Sequence, residues 1–354
     1  MLEQVRVPAQ ADGVFEGGGV KGIAFAGAIK AAEEAGVREW VNVAGASAGA
    51  ITASLLAIGY TAEEIEEALE ETDYRLFADY GPGGKYLSGP LNYLRMRGLV
   101  PGDYFKKWLS ERFEKKLGNP NPTFKDVIRK DLPDNLSEAE LRRAKYKLKV
   151  IASDITSGRM LVLPDHIVDY EDKDGKRFVI DEFPLADAVR MSMSFPFFFN
   201  VVTLFRDGKP HYIVDGGLLS NFPVWLFDSG DRPPRRPTWG FRLHGGTGPE
   251  RLPYRGIRRP LWARPLLKAM FFSAMEAWDR EQLGRTTAAR TVSIPTRDVK
   301  TINFELTKEE AKNLYRWGYE ETERFFASPE TQEYLGKIEA AGRADMPPAT
   351  GAPT

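Results

Sequence analysis

Two strand–turn–helix units near the start of the chain constrain its fold most strongly. The first runs from "GVFEG" through a triple glycine into the helical pattern "IAFAGAIKAAEEAG". The second runs from the apolar "EWVNVAG" into "SAGAITASLLAIG". Gly36 and Gly59 stand where the two helices are expected to end. Because strands that alternate with helices run parallel, the pattern predicts an α/β domain with a mostly parallel central sheet.

The rest of the chain continues this pattern without an internal repeat or a clean break in composition. Further strands are predicted at "YKLKVIASDI", "GRMLVLP", "HYIVDGG" and "PTWGFRLHGG", with "SGDRPPRRPT" as the loop between the last two. Residues 61–145 are mostly helical and charged, with "YGPGGKYLSGP" as a surface loop, and helices are predicted at 260–285 and 306–327. The stretch "LADAVRMSMSFPFFF" is predicted to be a helix that runs into a compact aromatic turn. We therefore expect one domain over residues 10–327, followed by a mobile tail over 328–354.

Composition excludes several classes of function. The 354 residues carry 49 Lys and Arg against 50 Asp and Glu, so no basic field indicates nucleic-acid binding. The absence of cysteine excludes disulfides, thiolate metal sites and a cysteine nucleophile. With only His166, His211 and His244 present, the sequence argues against a histidine-rich metal site. We expect neither a metal nor a cofactor.

The N-terminal "MLEQVRVPAQADG" lacks the basic and apolar regions of a signal peptide. No uncharged run approaches the roughly 18–20 residues that span a bilayer. The sequence therefore predicts a soluble, cytoplasmic protein without a transmembrane segment, and it gives no indication of oligomeric state.

The first glycine turn admits two interpretations. Gly17, Gly19 and Gly22 fit G-x-G-x-x-G between a strand and a helix, as in dinucleotide-binding folds. That fold expects an acid at the end of the next strand, and "VNVAGAS" has none. A phosphate-binding P-loop also fails, since no Gly-Lys is followed by Ser or Thr. The remaining interpretation is an oxyanion hole, in which glycine N–H groups approach a developing alkoxide.

The second turn carries a candidate nucleophile. Gly45, Ser47 and Gly49 spell G-x-S-x-G between a buried strand and an apolar helix, which is the setting of a nucleophile elbow. The alternative is that Ser47 only caps its helix. A cap alone does not require glycine at both flanks, so the spacing favours the nucleophile.

A serine nucleophile needs a base, and Asp215 ends a predicted strand before Gly216 and Gly217. An aspartate there is also a common turn former. The chain order Ser47, Asp215, His244 formally permits an α/β-hydrolase triad. That fold places several strands before its serine, whereas Ser47 follows the second predicted strand, and His244 has no supporting motif.

Taken together, "GGGVKG", "GASAG" and "DGG" resemble, in order and setting, the patatin-like phospholipase family. The resemblance extends through "ADAVRMSMSFPFFF" to "NFELTKEEAKNLYRWGYEE", over roughly residues 10–327. It implies a three-layer α/β/α fold and a lipid acyl hydrolase of the phospholipase A, lysophospholipase or broader esterase type. It further implies a Ser47–Asp215 dyad and an oxyanion hole at Gly17, Gly18 and Gly19, with a lipid or ester as substrate.

Apolar segments suggest where an acyl chain would lie. Phe195, Phe197 and Phe198 are expected either to line an acyl pocket or to pack in the core. Residues 266–278 are apolar nearly all round, which favours burial. Four arginines and a tryptophan between residues 255 and 264 suit either transient contact with a membrane surface or a solvated face. A non-catalytic lipid- or nucleotide-binding α/β protein remains the alternative to an enzyme.

Overall fold

The computed structural model of the protein describes residues 7–77, 100–132, 136–196, 198–228, 236–245, 288–297, 299–301 and 305–344. Its strands are β1 (Gln10–Phe15), β2 (Glu39–Ala46), β3 (Leu148–Asp154), β4 (Arg159–Leu163), β5 (Val202–Arg206), β6 (Lys209–Asp215), β7 (Thr238–His244) and β8 (Thr291–Pro295). Its helices are α1 (Ile23–Ala35), α2 (Ala48–Ala57), α3 (Ala62–Glu70), α4 (Asp103–Leu117), α5 (Glu138–Ala144), α6 (Leu185–Ser192), α7 (Lys308–Phe326) and α8 (Pro329–Ala344).

The strands form one sheet in the order β5-β6-β3-β2-β1-β7-β8, and β4 pairs with β3 outside this path. Five neighbouring strands of this sheet, in the order β3-β2-β1-β7-β8, pair in parallel. β6 runs antiparallel to β3 and β5 antiparallel to β6. The predicted mixed α/β fold with a mostly parallel central sheet is therefore confirmed.

Alternating side chains give the sheet two apolar faces. Phe15 and Val43 belong to the large core that also contains residues of α1, α2, α3, α4 and α6. Val14 and Ala44, each one position away along its strand, pack on the other face against Phe222. Because successive side chains of a strand point to opposite faces, one stretch of β1 and β2 serves both clusters.

Local signals fix most of the helix ends. Gly36 ends α1 with a φ of 128°, and its N–H reaches back to the carbonyl oxygens of Ala32 and Glu33. Thr61 begins α3 in a capping box with Glu64, in which each side chain accepts a hydrogen bond from the other residue's backbone N–H. The end of α1 at Gly36 confirms the prediction from sequence.

Three parts of the structure differ from the sequence prediction or lie beyond it. Residues 329–344, predicted to begin a mobile tail, form helix α8 instead, and Leu335 and Ile338 of that helix are buried. The strand β8 was not predicted, so β7 is not the last strand of the sheet. The predicted surface loop at "YGPGGKYLSGP" and the predicted helix over 260–285 lie outside the described residues, as does most of "SGDRPPRRPT". The single domain over 10–327 stays a prediction.

Two glycines let α1 and α7 touch backbone to backbone. A Cβ added to Gly27 would lie 1.9 Å from the carbonyl oxygen of Tyr315, and one added to Gly318 would lie 1.9 Å from that of Ala24. Both gaps are closed to any side chain, because the obstructing atoms belong to rigid backbone. The late helix α7 is thereby held against the helix that follows the first glycine turn.

We expect Gly318→Ala to lower the free energy of unfolding by about 1–3 kcal/mol, because the added methyl forces two helices apart. Gly336→Ala is the matched control, since this glycine lies inside α8 with nothing within 4 Å of an added Cβ. Helix propensity makes that change neutral or stabilising by up to about 1 kcal/mol. Chemical denaturation of both variants measures the difference, and equal effects would contradict the close-packing explanation.

Candidate active site

The two glycine turns meet at one edge of the sheet. Strands β1 and β2 run parallel, and their last residues lie side by side, with Phe15 opposite Gly45. Both turns therefore leave the sheet at the same edge, where open α/β folds form their ligand sites. An open cavity of about 860 Å³ lies there, and its lining includes Gly17, Gly18, Gly19, Ser47 and Asp215.

The turn at Ser47 is sharp and strained. Ser47 has a φ of 51° and a ψ of −122°, a conformation that side-chain-bearing residues rarely adopt. A Cβ on Gly45 would lie 2.2 Å from the carbonyl carbon of Gly49, and a Cβ on Gly49 would lie 2.1 Å from the carbonyl oxygen of Phe15. The glycines at both flanks are thus required by the close approach of backbones, as a nucleophile elbow demands.

The hydrogen bonds of Ser47 rule out a simple cap. Ser47 precedes α2, but its side chain accepts no hydrogen bond from that helix. Its hydroxyl instead donates to the sulfur of Met193 over 3.6 Å. Its backbone N–H donates to the hydroxyl of Ser192 over 2.8 Å. The interpretation of Ser47 as a helix cap is therefore wrong. Ser192, the last residue of α6, and Met193, which follows it, hold the serine in place.

Asp215 reaches the same cavity from β6. Its backbone N–H donates to the carbonyl oxygen of Ser194 over 2.9 Å, and its Oδ1 accepts the N–H of Gly217 over 2.8 Å. Its Oδ2 is buried and has no hydrogen-bond partner among the described residues. One carboxylate oxygen is thus fixed by the turn while the other faces the cavity.

Burial changes the acidity of this carboxyl group. Asp215 is 1% exposed, and the loss of hydration raises its pKa from 3.8 to about 7. The N–H of Gly217 and the hydroxyl of Ser47 stabilise the ionised form and oppose part of that increase. The side chain therefore takes up and releases a proton near neutral pH.

The three consecutive glycines differ in what their N–H groups do. The N–H of Gly17 donates to the carbonyl oxygen of Asn221 over 3.1 Å, and the Asn221 side chain donates back to the Gly17 carbonyl oxygen over 3.1 Å. Within the described part of the chain, the N–H groups of Gly18 and Gly19 have no partner. Gly17 thus anchors the turn, and Gly18 and Gly19 are the two whose donors remain available.

A carbonyl from a distant segment shapes the same turn. The N–H of Val20 donates to the carbonyl oxygen of Thr301 over 3.1 Å. Gly19 has a φ of 56°, and a Cβ there would lie 2.0 Å from that same oxygen. Glycine is required at this position both by its backbone conformation and by the close contact.

None of the three histidines, all of which are described, lines this cavity. His244 ends β7 and is exposed. His166 accepts the N–H of Val162, and His211 bonds the carboxylate of Asp154. The structure therefore does not bring His244 to Ser47 and Asp215. The described residues also contain no group of three or more His, Asp or Glu side chains that could hold a metal ion.

Comparison with known proteins identifies the family of this chain. The family model described as patatin-like phospholipase matches residues 13–228. The chain belongs to this family. It is 37% identical over 320 residues to the uncharacterized protein YqhO of Bacillus subtilis (strain 168), covering 89% of this chain and 97% of YqhO. Membership supports a lipid acyl hydrolase in general terms.

A solved structure shares this fold at low identity. VipD from Legionella pneumophila superposes with a TM-score of 0.52 at 20% identity, covering 90% of this chain and 67% of VipD. A complex of ExoU and SpcU from Pseudomonas aeruginosa gives a TM-score of 0.47 at 20% identity, covering 94% of this chain and 53% of the matched chain. The likeness to VipD concerns the fold alone.

The patatin-like cavity has mostly apolar walls that the sequence revealed only in part. Phe195 and Phe198 line this cavity, which was one of the two positions expected for them, the other being the core. Phe197 lies outside the described residues. The sequence analysis missed several other lining residues, namely Ile51, Leu69, Tyr74, Phe77, Trp108 and Met193. Ser192 and Met193 belong to the segment "ADAVRMSMSFPFFF", which the sequence analysis had singled out. Nothing local distinguished the others from core residues.

The buried carboxyl group makes a stability prediction. An acid whose pKa is raised by folding destabilises the folded state increasingly as pH rises from about 3.8 to about 7. Asp215→Asn removes this ionisation and keeps an oxygen for the N–H of Gly217. We expect its melting temperature to exceed that of the parent protein by an amount that grows from pH 5 to pH 7 and then levels. At its limit, the corresponding difference in the free energy of unfolding is on the order of a few kcal/mol.

Asp154→Asn is the matched control for that experiment. Asp154 is also buried, and burial alone would raise its pKa. Hydrogen bonds from Ser157, His211 and Tyr170 outweigh burial and lower the pKa of Asp154. Its replacement should therefore lower the melting temperature at pH 8. A melting-temperature difference of the Asp215 variant that does not change with pH would contradict the assigned acidity.

Proposed function

We propose that this patatin-like protein hydrolyses fatty-acyl esters of lipids, with Ser47 as the nucleophile and Asp215 as its base. The observation that carries the proposal is the cavity that both side chains line, in which the carboxylate of Asp215 is buried and its Oδ2 has no hydrogen-bond partner among the described residues. The strained backbone of Ser47 and the apolar cavity walls fit an exposed nucleophile that receives an acyl chain. Phospholipids, lysophospholipids and simpler esters all fit this chemistry.

The first half of the reaction forms an acyl-enzyme. Asp215 accepts the proton of the Ser47 hydroxyl while Oγ attacks the ester carbonyl carbon. The carbonyl π electrons move onto oxygen, and the N–H groups of Gly18 and Gly19 stabilise the resulting negative charge. The intermediate then collapses, the ester C–O bond breaks, and the leaving alcohol takes the proton from Asp215. Each preorganised donor of this kind contributes about 3 kcal/mol.

The second half repeats the sequence with water. Asp215 removes a proton from a water molecule, whose oxygen attacks the acyl carbon. Collapse of the second tetrahedral intermediate expels the Ser47 oxygen, which regains its proton from Asp215. The products are the free fatty acid and the regenerated dyad.

Burial is what allows a carboxylate to serve as base here. An aspartate at its usual pKa holds a transferred proton weakly. Loss of hydration brings the pKa of Asp215 to about 7, near the pH at which acid–base catalysis is most effective. The carboxylate therefore performs the proton transfers that a histidine performs in a triad.

Two further predictions concern membrane contact and cellular location. The four arginines and the tryptophan between residues 255 and 264, which suit either transient contact with a membrane surface or a solvated face, lie outside the described residues. No helix in the described residues is both long enough and apolar enough to cross a bilayer. We keep transient surface contact and a cytoplasmic location as predictions.

A fluorophosphonate probe tests the nucleophile directly. We expect covalent labelling of the parent protein and none of Ser47→Ala, with ester hydrolysis falling at least about a thousandfold. Ser54→Ala is the control, because this buried serine lies on α2 and only bonds the carbonyl oxygen of Ile51. A parent protein that binds lipid but neither labels nor hydrolyses any ester would favour the non-catalytic lipid-binding alternative. Stabilisation by a nucleotide would favour the dinucleotide interpretation.

The pH dependence of kcat/KM tests the base. With Asp215 ionising at about 7, kcat/KM should rise about tenfold per pH unit below pH 7 and level above it. Asp215→Asn should lose about ten-thousandfold in kcat, and His244→Ala should leave the profile unchanged. Loss of activity in both Asp215→Asn and His244→Ala would instead support the Ser47–Asp215–His244 triad, whereas near-parental activity of the asparagine variant would exclude Asp215 as the base.

A further inference from the structure

A second cavity adjoins the catalytic one. It is open to solvent, encloses about 650 Å³ with that solvent included, and lies between α1, α3 and α7. Ile23 of α1 and Leu69 of α3 contribute to the walls of both cavities. The two side chains therefore stand between the space that contains Ser47 and a second space that the proposed reaction does not use.

The catalytic cavity is apolar away from its reacting groups. Polar groups lie at the end formed by Ser47, Asp215 and the glycine turn, whereas Tyr74, Phe77 and Trp108 provide aromatic surface elsewhere. An acyl chain esterified to Ser47 would have its hydrocarbon covered by this surface. Its methyl end must stop at a wall, and the wall made by Leu69 and Ile23 is one boundary.

The second cavity is suited to hold more of the same hydrocarbon. Ala26 and Ala311 join Ile23 and Leu69 in its apolar part. Glu66, which is half-buried, and the exposed Glu70 and Lys312 also line it. An alkyl chain that entered from the catalytic side would pass between the apolar side chains of Ile23 and Leu69.

We propose that Leu69, together with Ile23, forms a partition that sets the longest acyl chain the enzyme accepts. This inference rests on the proposed function, since it assigns the acyl specificity of the same site. With the partition in place, the chain ends inside the catalytic cavity. Removal of the Leu69 side chain joins the two cavities, and longer chains then extend into the second one.

Leu69 is the better position to change. Ile23 opens α1 directly after the turn that contains Gly18 and Gly19, so its replacement would also disturb the proposed oxyanion donors. Leu69 lies near the end of α3 and is partly buried against the core. Truncation of Leu69 changes the wall of the cavity and replaces no residue of the glycine turn or of the elbow at Ser47.

The test is the chain-length dependence of kcat/KM over p-nitrophenyl esters from butyrate to palmitate. We expect Leu69→Ala to move the optimum to chains longer by at least two carbons. Two more buried methylenes raise the long-to-short ratio of kcat/KM about tenfold. Leu69→Trp, which fills the wall further, should move the optimum to shorter esters and serves also if the alanine variant folds poorly.

A second substitution separates joined cavities from mere enlargement of the first. Ala311 lines only the second cavity. In the double variant Leu69→Ala, Ala311→Phe, the phenyl ring should block that cavity and return the optimum toward the parental length. Leu335→Ala truncates a buried leucine of α8 outside both cavities and should leave the length profile unchanged.

Binding provides a readout that is independent of turnover. Calorimetric titration with saturated fatty acids of 8 to 18 carbons should show the same shift of optimum length between the parent protein and Leu69→Ala. That shift without ester hydrolysis would overturn the proposed function but keep the partition. An unchanged length profile in both assays, or a shift that persists in the double variant, would overturn the partition.

Discussion

The contact between Gly49 and the carbonyl oxygen of Phe15 sets the geometry on which the rest of the site depends. Phe15 is the last residue of β1 and Gly49 the second residue of α2, so this contact fixes how far the elbow stands from the glycine turn. A side chain at Gly49 would push α2 away and separate Ser47 from Gly18 and Gly19. The site is therefore positioned by backbone atoms of the sheet edge, which are the least mobile atoms available.

The same edge imposes a strained backbone on Ser47 and a dry environment on Asp215. Positive φ at a serine costs about 1–3 kcal/mol, and an unpaired buried carboxylate oxygen is unfavourable as well. Contacts elsewhere must offset both, among them the bond from the N–H of Ser47 to Ser192 and the large core on one face of the sheet. Such local conflict with stability is characteristic of sites that perform chemistry.

The sequence was sufficient for features that depend on neighbouring residues and insufficient for those that depend on distant ones. The parallel strands, the end of α1 at Gly36 and the candidate residues Ser47 and Asp215 all follow from short local patterns. The bond from Ser47 to Ser192 joins residues 145 positions apart, and that from Asn221 to Gly17 joins residues 204 positions apart. No local pattern encodes these pairs.

The same reason explains why the sequence did not predict α8 and could not distinguish the glycines of the first turn. The prediction of a mobile tail rested on the small residues and prolines after residue 340. The stretch before them is a helix in which Leu335 and Ile338 are buried. The glycine turn looked like three equivalent donors, and only the tertiary bond of Gly17 to Asn221 distinguishes it from the next two. The extent of the domain remains a prediction from sequence.

In the proposed mechanism, chemistry and acyl selectivity are carried by different parts of this fold. Ser47, Asp215 and the glycine turn all sit at ends of sheet strands, where a change in one residue disturbs several backbone contacts. Leu69 and Trp108 come from α3 and α4, charged helices whose apolar sides complete the cavity. Because these helices meet the site only through side chains, their residues can change the shape of the cavity without moving the reacting groups. Acyl selectivity can therefore vary within the fold while the geometry at the sheet edge stays constant.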